Sequence, residues 1–234
     1  MQGTVTIQRF NPMSDKEPFS QTFQYPFQPG MTVLDVLNCI RETQDPGLAY
    51  DWCCRSGHCG ICGITVNGKP TLSCRAAANP ENLRLEPIRN IRVIKDLAID
   101  RDEYERNRPR LRLFLERQCR DVHEPEPIDM REFTHFKTAS RCIECFCCVS
   151  VCPVYKKKQH LFPGPAAFVL AARHFFDPRD EMNRSLMLCS EGIDLCTECG
   201  LCSKVCALGA DPAGMIGIMK ERIAFGISDT DKAQ

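Results

Sequence analysis

Apolar and polar residues alternate along TVTIQRF (4–10) and again along FSQTFQYPF (19–27), with the polar stretch NPMSDKEP between them. A period of two interrupted by turn residues predicts a β-hairpin. In MTVLDVLNCIRE the period lengthens, and Val33, Leu34, Val36, Leu37 and Ile40 fall at helical spacing behind Thr32, a good N-cap. GITVNGKPTLSC predicts two short strands around an Asn-Gly turn, and LRLEPI and IRVIKDL predict further strands. After Asp100 the pattern turns helical. RDEYERNRPRLRLFLERQ has helical composition with a break or restart at Pro109, PGPAAFVLAARHFFD carries Pro near its start, and a last helix is expected over about residues 212–224. A strand-rich part followed by a helical part predicts an α+β chain with its boundary near residues 98 to 105, hence domains 1–100 and 101–234.

Composition excludes some partners. Lysine plus arginine equals aspartate plus glutamate, 30 against 30, so no nucleic acid or anionic surface is expected to bind by charge. The arginines between Arg101 and Arg120 are interleaved with acids and read as a solvated helix face. No apolar run reaches the roughly 18 to 20 residues that span a bilayer. MQGTVTIQRF lacks the basic and apolar regions of a signal peptide, so a cytoplasmic location is expected; a partner bearing a twin-arginine signal would leave export open.

Seventeen cysteines are the feature that points to chemistry. Disulfides need an oxidising compartment and leave one thiol over from an odd count. Cys54-x4-Cys59-x2-Cys62 with Cys74 further on has plant-type [2Fe–2S] spacing, in a loop whose glycines let N–H groups turn toward sulfur. A zinc ribbon would pair two tight knuckles, and only one is present here. Cys53 gives a poorer register than Cys54. A Rieske centre would need two histidines, so His58 is expected at the surface. The strands around the loop fit a β-grasp plant-type ferredoxin domain.

CIECFCCVSVC (142–152) and CTECGLCSKVC (196–206) both follow C-x2-C-x2-C-x3-C, in which each fourth cysteine serves the other cluster. This assigns Cys142, Cys145, Cys148 and Cys206 to one [4Fe–4S], and Cys152, Cys196, Cys199 and Cys202 to a second. Pro153 follows the first run as the motif requires, whereas Ala207 follows the second. Two zinc sites would use the same thiols, but the crossing x3 cysteine is distinctive of clusters. The second half is therefore expected to be an all-helical, bacterial-type dicluster ferredoxin domain. Cys119, Cys147 and Cys189 lie outside every register, and Cys39 is expected to be a packed core thiol.

Together, CRSGHCGICGITVNGKPTLSC, IRVIKDLAID, CIECFCCVSVCP and GPAAFVLAARHFFDPRD resemble the iron–sulfur subunit of succinate dehydrogenase and fumarate reductase over nearly the whole chain. The resemblance implies a non-catalytic electron-transfer subunit, with no catalytic residue of its own. It implies a hetero-oligomer in which electrons pass between a flavoprotein subunit, which alone holds FAD, and a membrane-side acceptor. That acceptor would be a quinone at a membrane anchor or a cysteine-rich subunit, with the complex peripheral on the cytoplasmic membrane. The [2Fe–2S] would lie nearest the flavin and the third centre nearest the acceptor.

Three positions depart from the common family pattern. Many members hold a [3Fe–4S] third centre, with an aliphatic residue where Cys199 stands; a thiolate there implies [4Fe–4S], and [3Fe–4S] if Cys199 is not a ligand. Quinone-binding members carry tryptophan where Lys156 and Lys157 stand, and often histidine where Thr197 stands. These departures resemble a branch whose acceptor side is a cysteine-rich subunit similar to one in heterodisulfide reductase. Lys156 to Lys158 form either a docking patch or a solvated turn. The alternative reading is a subunit wiring a different flavoprotein to a heterodisulfide-reductase-like or ferredoxin partner.

Overall fold

The computed structural model describes residues 1–118 and 126–226. Its elements run β1 (Gln2–Arg9), β2 (Phe19–Pro26), α1 (Val33–Thr43), β3 (Gly63–Val66), β4 (Lys69–Leu72), β5 (Leu83–Glu86), β6 (Val93–Lys95) and β7 (Ala98–Ile99). Helices follow: α2 (Asp102–Asn107), a 3-10 turn (Arg108–Leu111), α3 (Met130–Ala139), α4 (Cys147–Ser150), α5 (Pro153–Lys158) and α6 (Pro165–Phe175). The chain ends with α7 (Arg184–Ser190), a second 3-10 turn (Ile193–Leu195), α8 (Leu201–Lys204) and α9 (Pro212–Ala224). Two compact units result: Met1–Arg101 together with Ile143–Val151, and Asp102–Cys142 together with the chain from Cys152 onward.

In the first unit a five-stranded sheet has the order β2-β1-β5-β3-β4. The hairpin pairs Gln2 with Pro26 and Arg9 with Phe19, and β1 lies parallel to β5. Alternation places Val5, Ile7, Phe23 and Tyr25 inside. Helix α1 lies against β2 and buries Leu34, Leu37 and Ile40. Thr32 and Asp35 close its N-terminus as a capping box. Asn67 and Gly68 both have positive φ, 47° and 79°, the type I′ geometry that suits the right-handed twist of a tight hairpin. Arg9 secures the far end of the sheet: Nε donates to Asp96 at 2.9 Å and Nη1 to Asp45 at 2.6 Å. Asp96 also accepts the N–H groups of Phe10 and Ala49. This is the mixed-sheet and single-helix arrangement of the expected β-grasp domain.

The second unit is built around α6. Every residue from Pro165 to Ala172 is buried, as is Phe175. A helix apolar on all sides has to be covered on all sides, and α3, α7 and α9 pack on it. Arg222 of α9 stacks over Phe176 with 5.1 Å to the ring centroid and forms a two-point ion pair with Glu132 of α3.

One expectation fails here. The helical composition of residues 101–118 yields only the six residues of α2 and one 3-10 turn at Pro109; Arg112 has φ 44° and the chain beyond it is irregular. The cause is Arg184, whose side chain is fully buried. Its guanidinium donates to the carbonyls of Leu111 (3.2 Å), Arg112 (2.7 Å) and Phe114 (2.8 Å), and pairs with Asp180 at 2.7 Å. Carbonyls turned toward that cation are withdrawn from helical hydrogen bonding. Replacing Arg184 by Met leaves Asp180 buried without its cation and frees three carbonyls. A loss of about 3–5 kcal/mol is expected for breaking a buried pair in this way, read as a lower denaturant midpoint.

Candidate metal centres

The loop between α1 and β3 carries the plant-type cysteines. Cys54 Sγ accepts three backbone N–H groups, from Ser56 (3.4 Å), His58 (3.3 Å) and Cys59 (3.4 Å). The N–H of Ser56 contributes most to pulling the Cys54 pKa down to about 5. Burial, followed by a hydrogen bond from Cys62, pushes Cys74 up to about 11. The Cys62 thiol donates to Cys74 Sγ at 3.3 Å, close enough for both sulfurs to meet one iron. One thiol is thus preset as thiolate in a nest of N–H donors, and two buried thiols crowd together, with Cys74 held back from ionising. Such a donor set fits a polynuclear iron core, whose cationic charge deprotonates thiols. His58 and Cys53 are exposed, and Cys39 is half-buried rather than fully packed.

The two later runs share one backbone pattern. In the first, Glu144 and Phe146 have φ of 54° and 61°, then α4 begins. In the second, Glu198 and Gly200 have φ of 54° and 74°, then α8 begins. Each helix has four residues and is followed by a valine at its C-cap, Val151 or Val205. Left-handed residues stand two and four places after the first cysteine in both runs, and in the second run Cys196, Cys199 and Cys202 border one cavity. Cys147 occupies the slot of Leu201 and is completely buried. Cys189 is exposed at the end of α7, and Cys119 lies outside the described residues.

Cys145 and Cys148 belong to the first unit, and Cys142 and Cys206 to the second. Cys152, Cys196, Cys199 and Cys202 all belong to the second unit and border one small cavity that Phe162 and Ile216 also line. Among the described residues no three His, Cys, Asp or Glu side chains gather tightly enough for a single ion; these four thiols stand around a volume instead. Burial, with the neighbouring thiol Cys196 next, drives Cys202 up to about 12, and burial also raises Cys152 and Cys196. Four thiols set around an apolar hollow, three of them held back from ionising, fit a bound iron–sulfur cluster.

Sequence reading missed Arg101. It is not on a solvated helix face: Nη2 donates to the carbonyls of Gly60 (3.1 Å) and Ile61 (3.2 Å), and Nη1 to that of Glu144 (3.1 Å). Its guanidinium also lies 4.6 Å from the centroid of the Phe146 ring. No local signal marks it, because its partners are carbonyls on loops about 40 residues away in either direction.

Fold and sites together define a two-module iron–sulfur protein. A 2Fe-2S iron-sulfur cluster binding domain family matches residues 4–106, and a 4Fe-4S dicluster domain family matches residues 138–210. The chain is 35% identical over 225 residues to a fumarate reductase iron-sulfur subunit from Mycobacterium tuberculosis, covering 91% of this chain and 89% of that one. It is 36% identical over 202 residues to a polypeptide of the fumarate reductase (CoM/CoB) of Methanothermobacter marburgensis, covering 86% of this chain but only 40% of that longer one. A solved chain from the Mycobacterium smegmatis Sdh1 complex shares the fold, with a TM-score of 0.84, 24% identity and 96% coverage of both chains. The chain belongs to the family of electron-transfer iron–sulfur subunits of fumarate reductase and succinate dehydrogenase. No helix among the described residues is long and apolar enough to cross a membrane.

The thiols of the cluster-free protein should differ in reactivity. At about pH 6.5 Cys54, lowered to about 5, is thiolate, whereas Cys74 and Cys202 stay protonated. Alkylation followed by peptide mapping should find Cys54 labelled ahead of Cys74 and Cys202, and equal labelling would contradict the N–H nest.

Proposed function

We propose that the chain carries single electrons between a flavoprotein subunit and an acceptor-side subunit of a succinate–fumarate oxidoreductase, through one [2Fe–2S] and two [4Fe–4S] centres. The [2Fe–2S] ligands are Cys54, Cys59, Cys62 and Cys74. The middle centre takes Cys142, Cys145, Cys148 and Cys206, and the third takes Cys152, Cys196, Cys199 and Cys202. The clusters supply the redox chemistry. The chain's own residues place the sulfurs, exclude water and donate hydrogen bonds, and none has to move a proton.

The observation that carries the third assignment is the place of Cys199 on the same cavity wall as Cys152, Cys196 and Cys202. A fourth thiol there supports a cubane over a three-iron centre. The rest of that wall supports a cysteine-rich acceptor subunit over a quinone-binding anchor. Thr197 borders the cavity where quinone-linked members often present an imidazole ring, and Lys156 and Lys157, which stand where those members carry tryptophan, are exposed on α5 together with Lys158. A different flavoprotein donor is not favoured, since relatives matched over most of their length are named fumarate reductase.

The purified complex should hold about 10 irons from this chain and show no strong EPR signal when oxidised. Cys199→Ala should remove about one iron per chain and create a near-isotropic oxidised-state signal from a [3Fe–4S] centre. A wild-type protein already showing that signal would make Cys199 a bystander. Succinate should reduce the clusters of the intact complex; failure to reduce any of them would overturn the assignment of the donor.

A further inference from the structure

The loop between Cys59 and Cys62 touches the segment that bears Cys145 backbone to backbone. Gly60 faces the carbonyl of Ile143 so closely that a methyl group at Gly60 could not be accommodated. A Cβ at Gly63 would stand 2.5 Å from the carbonyl oxygen of Cys145 itself. Gly63 directly follows the ligand Cys62, so only peptide groups separate a proposed [2Fe–2S] sulfur from a proposed [4Fe–4S] sulfur. Carbonyls of both loops turn toward a single cation. Arg101 is that cation: one planar guanidinium donates to Gly60 and Ile61 on one loop and to Glu144 on the other, and stacks on Phe146. Five donors in a fixed fork suit this task, and an ammonium group cannot match them.

We propose that Arg101 is a positioning residue for electron transfer, which clamps the Gly60–Gly63 loop to the Ile143–Phe146 segment and makes the Gly63–Cys145 contact the crossing point between the first two clusters. The inference rests on the ligand assignments made under the proposed function. The step is a one-electron transfer: the Cys59–Cys62 side is oxidised, the Cys145 side is reduced, and no proton moves.

The test uses the purified complex with Arg101→Lys, Arg101→Gln and Gly63→Ala. The last pushes the loops apart without altering the cation or any ligand. A photochemical reductant injects an electron, and freeze-quench EPR follows its passage from [2Fe–2S] to [4Fe–4S]. Relaxation enhancement between the two reduced clusters reports their separation. Expected are a several-fold slower transfer and a weaker enhancement in Arg101→Gln and in Gly63→Ala, with partial rescue in Arg101→Lys, at unchanged iron content and [2Fe–2S] potential. Wild-type transfer and enhancement in an iron-replete Arg101→Gln or Gly63→Ala variant would overturn the clamp. A wild-type complex lacking the [4Fe–4S] signal would instead overturn the ligand assignment beneath it.

Discussion

A sulfur that binds iron keeps negative charge, and the protein has to meet that charge with backbone N–H groups rather than with water. A regular helix or strand cannot do this, because its N–H groups are already committed to its own ladder. The chain therefore leaves regular structure wherever a cluster is expected and turns left-handed at single residues. Glu144, Phe146 and Glu198 do so with φ between 54° and 61°, although none of them is glycine. Each such residue costs on the order of 1–3 kcal/mol. Metal binding is the natural source of the offset, since a ligand that binds only the folded chain stabilises it. The shared pattern in the two runs, two left-handed residues and then a four-residue helix, is the same solution reached twice.

The frame around these loops has to be stiff, because strained loops relax when their supports yield. In the first unit Arg9 and Asp96 tie the hairpin end to the β6–β7 turn. In the second, α6 supplies an apolar axis, and buried Arg184 fastens an irregular segment that has no ladder of its own. Both devices place one guanidinium where several acceptors converge. Arg101 repeats the theme beside the cluster loops. Arginine suits all three places because it stays charged when buried and its donors lie in one plane.

Much is legible along the chain. The hairpin, α1 with its Thr32 cap, the Asn67-Gly68 turn, α6 and α9 follow from periodicity and capping residues acting over a few positions. Cysteine spacing points to the cluster chemistry for the same reason: most of the proposed ligands of one cluster sit on one loop, so the spacing would be the geometry. Helices α3 and α7 are not announced in this way. Neither has a strong apolar stripe, and each packs on α6, a tertiary contact that no local period announces.

What the sequence determined was local: element type where the period was strong, and the presence of twelve thiols in three cluster-type registers. Tertiary structure decided the rest. It put Cys199 on the cavity wall with Cys152, more than 40 residues earlier. It denied residues 112–118 a helix, because Arg184 claims the carbonyls of Arg112 and Phe114, and it turned Arg101 from a surface charge into a clamp between two loops. In each case the deciding partner is a backbone carbonyl or a thiol brought near by the fold. Carbonyls are identical at every residue, so no pattern of side chains along the chain can announce which of them a distant cation will find.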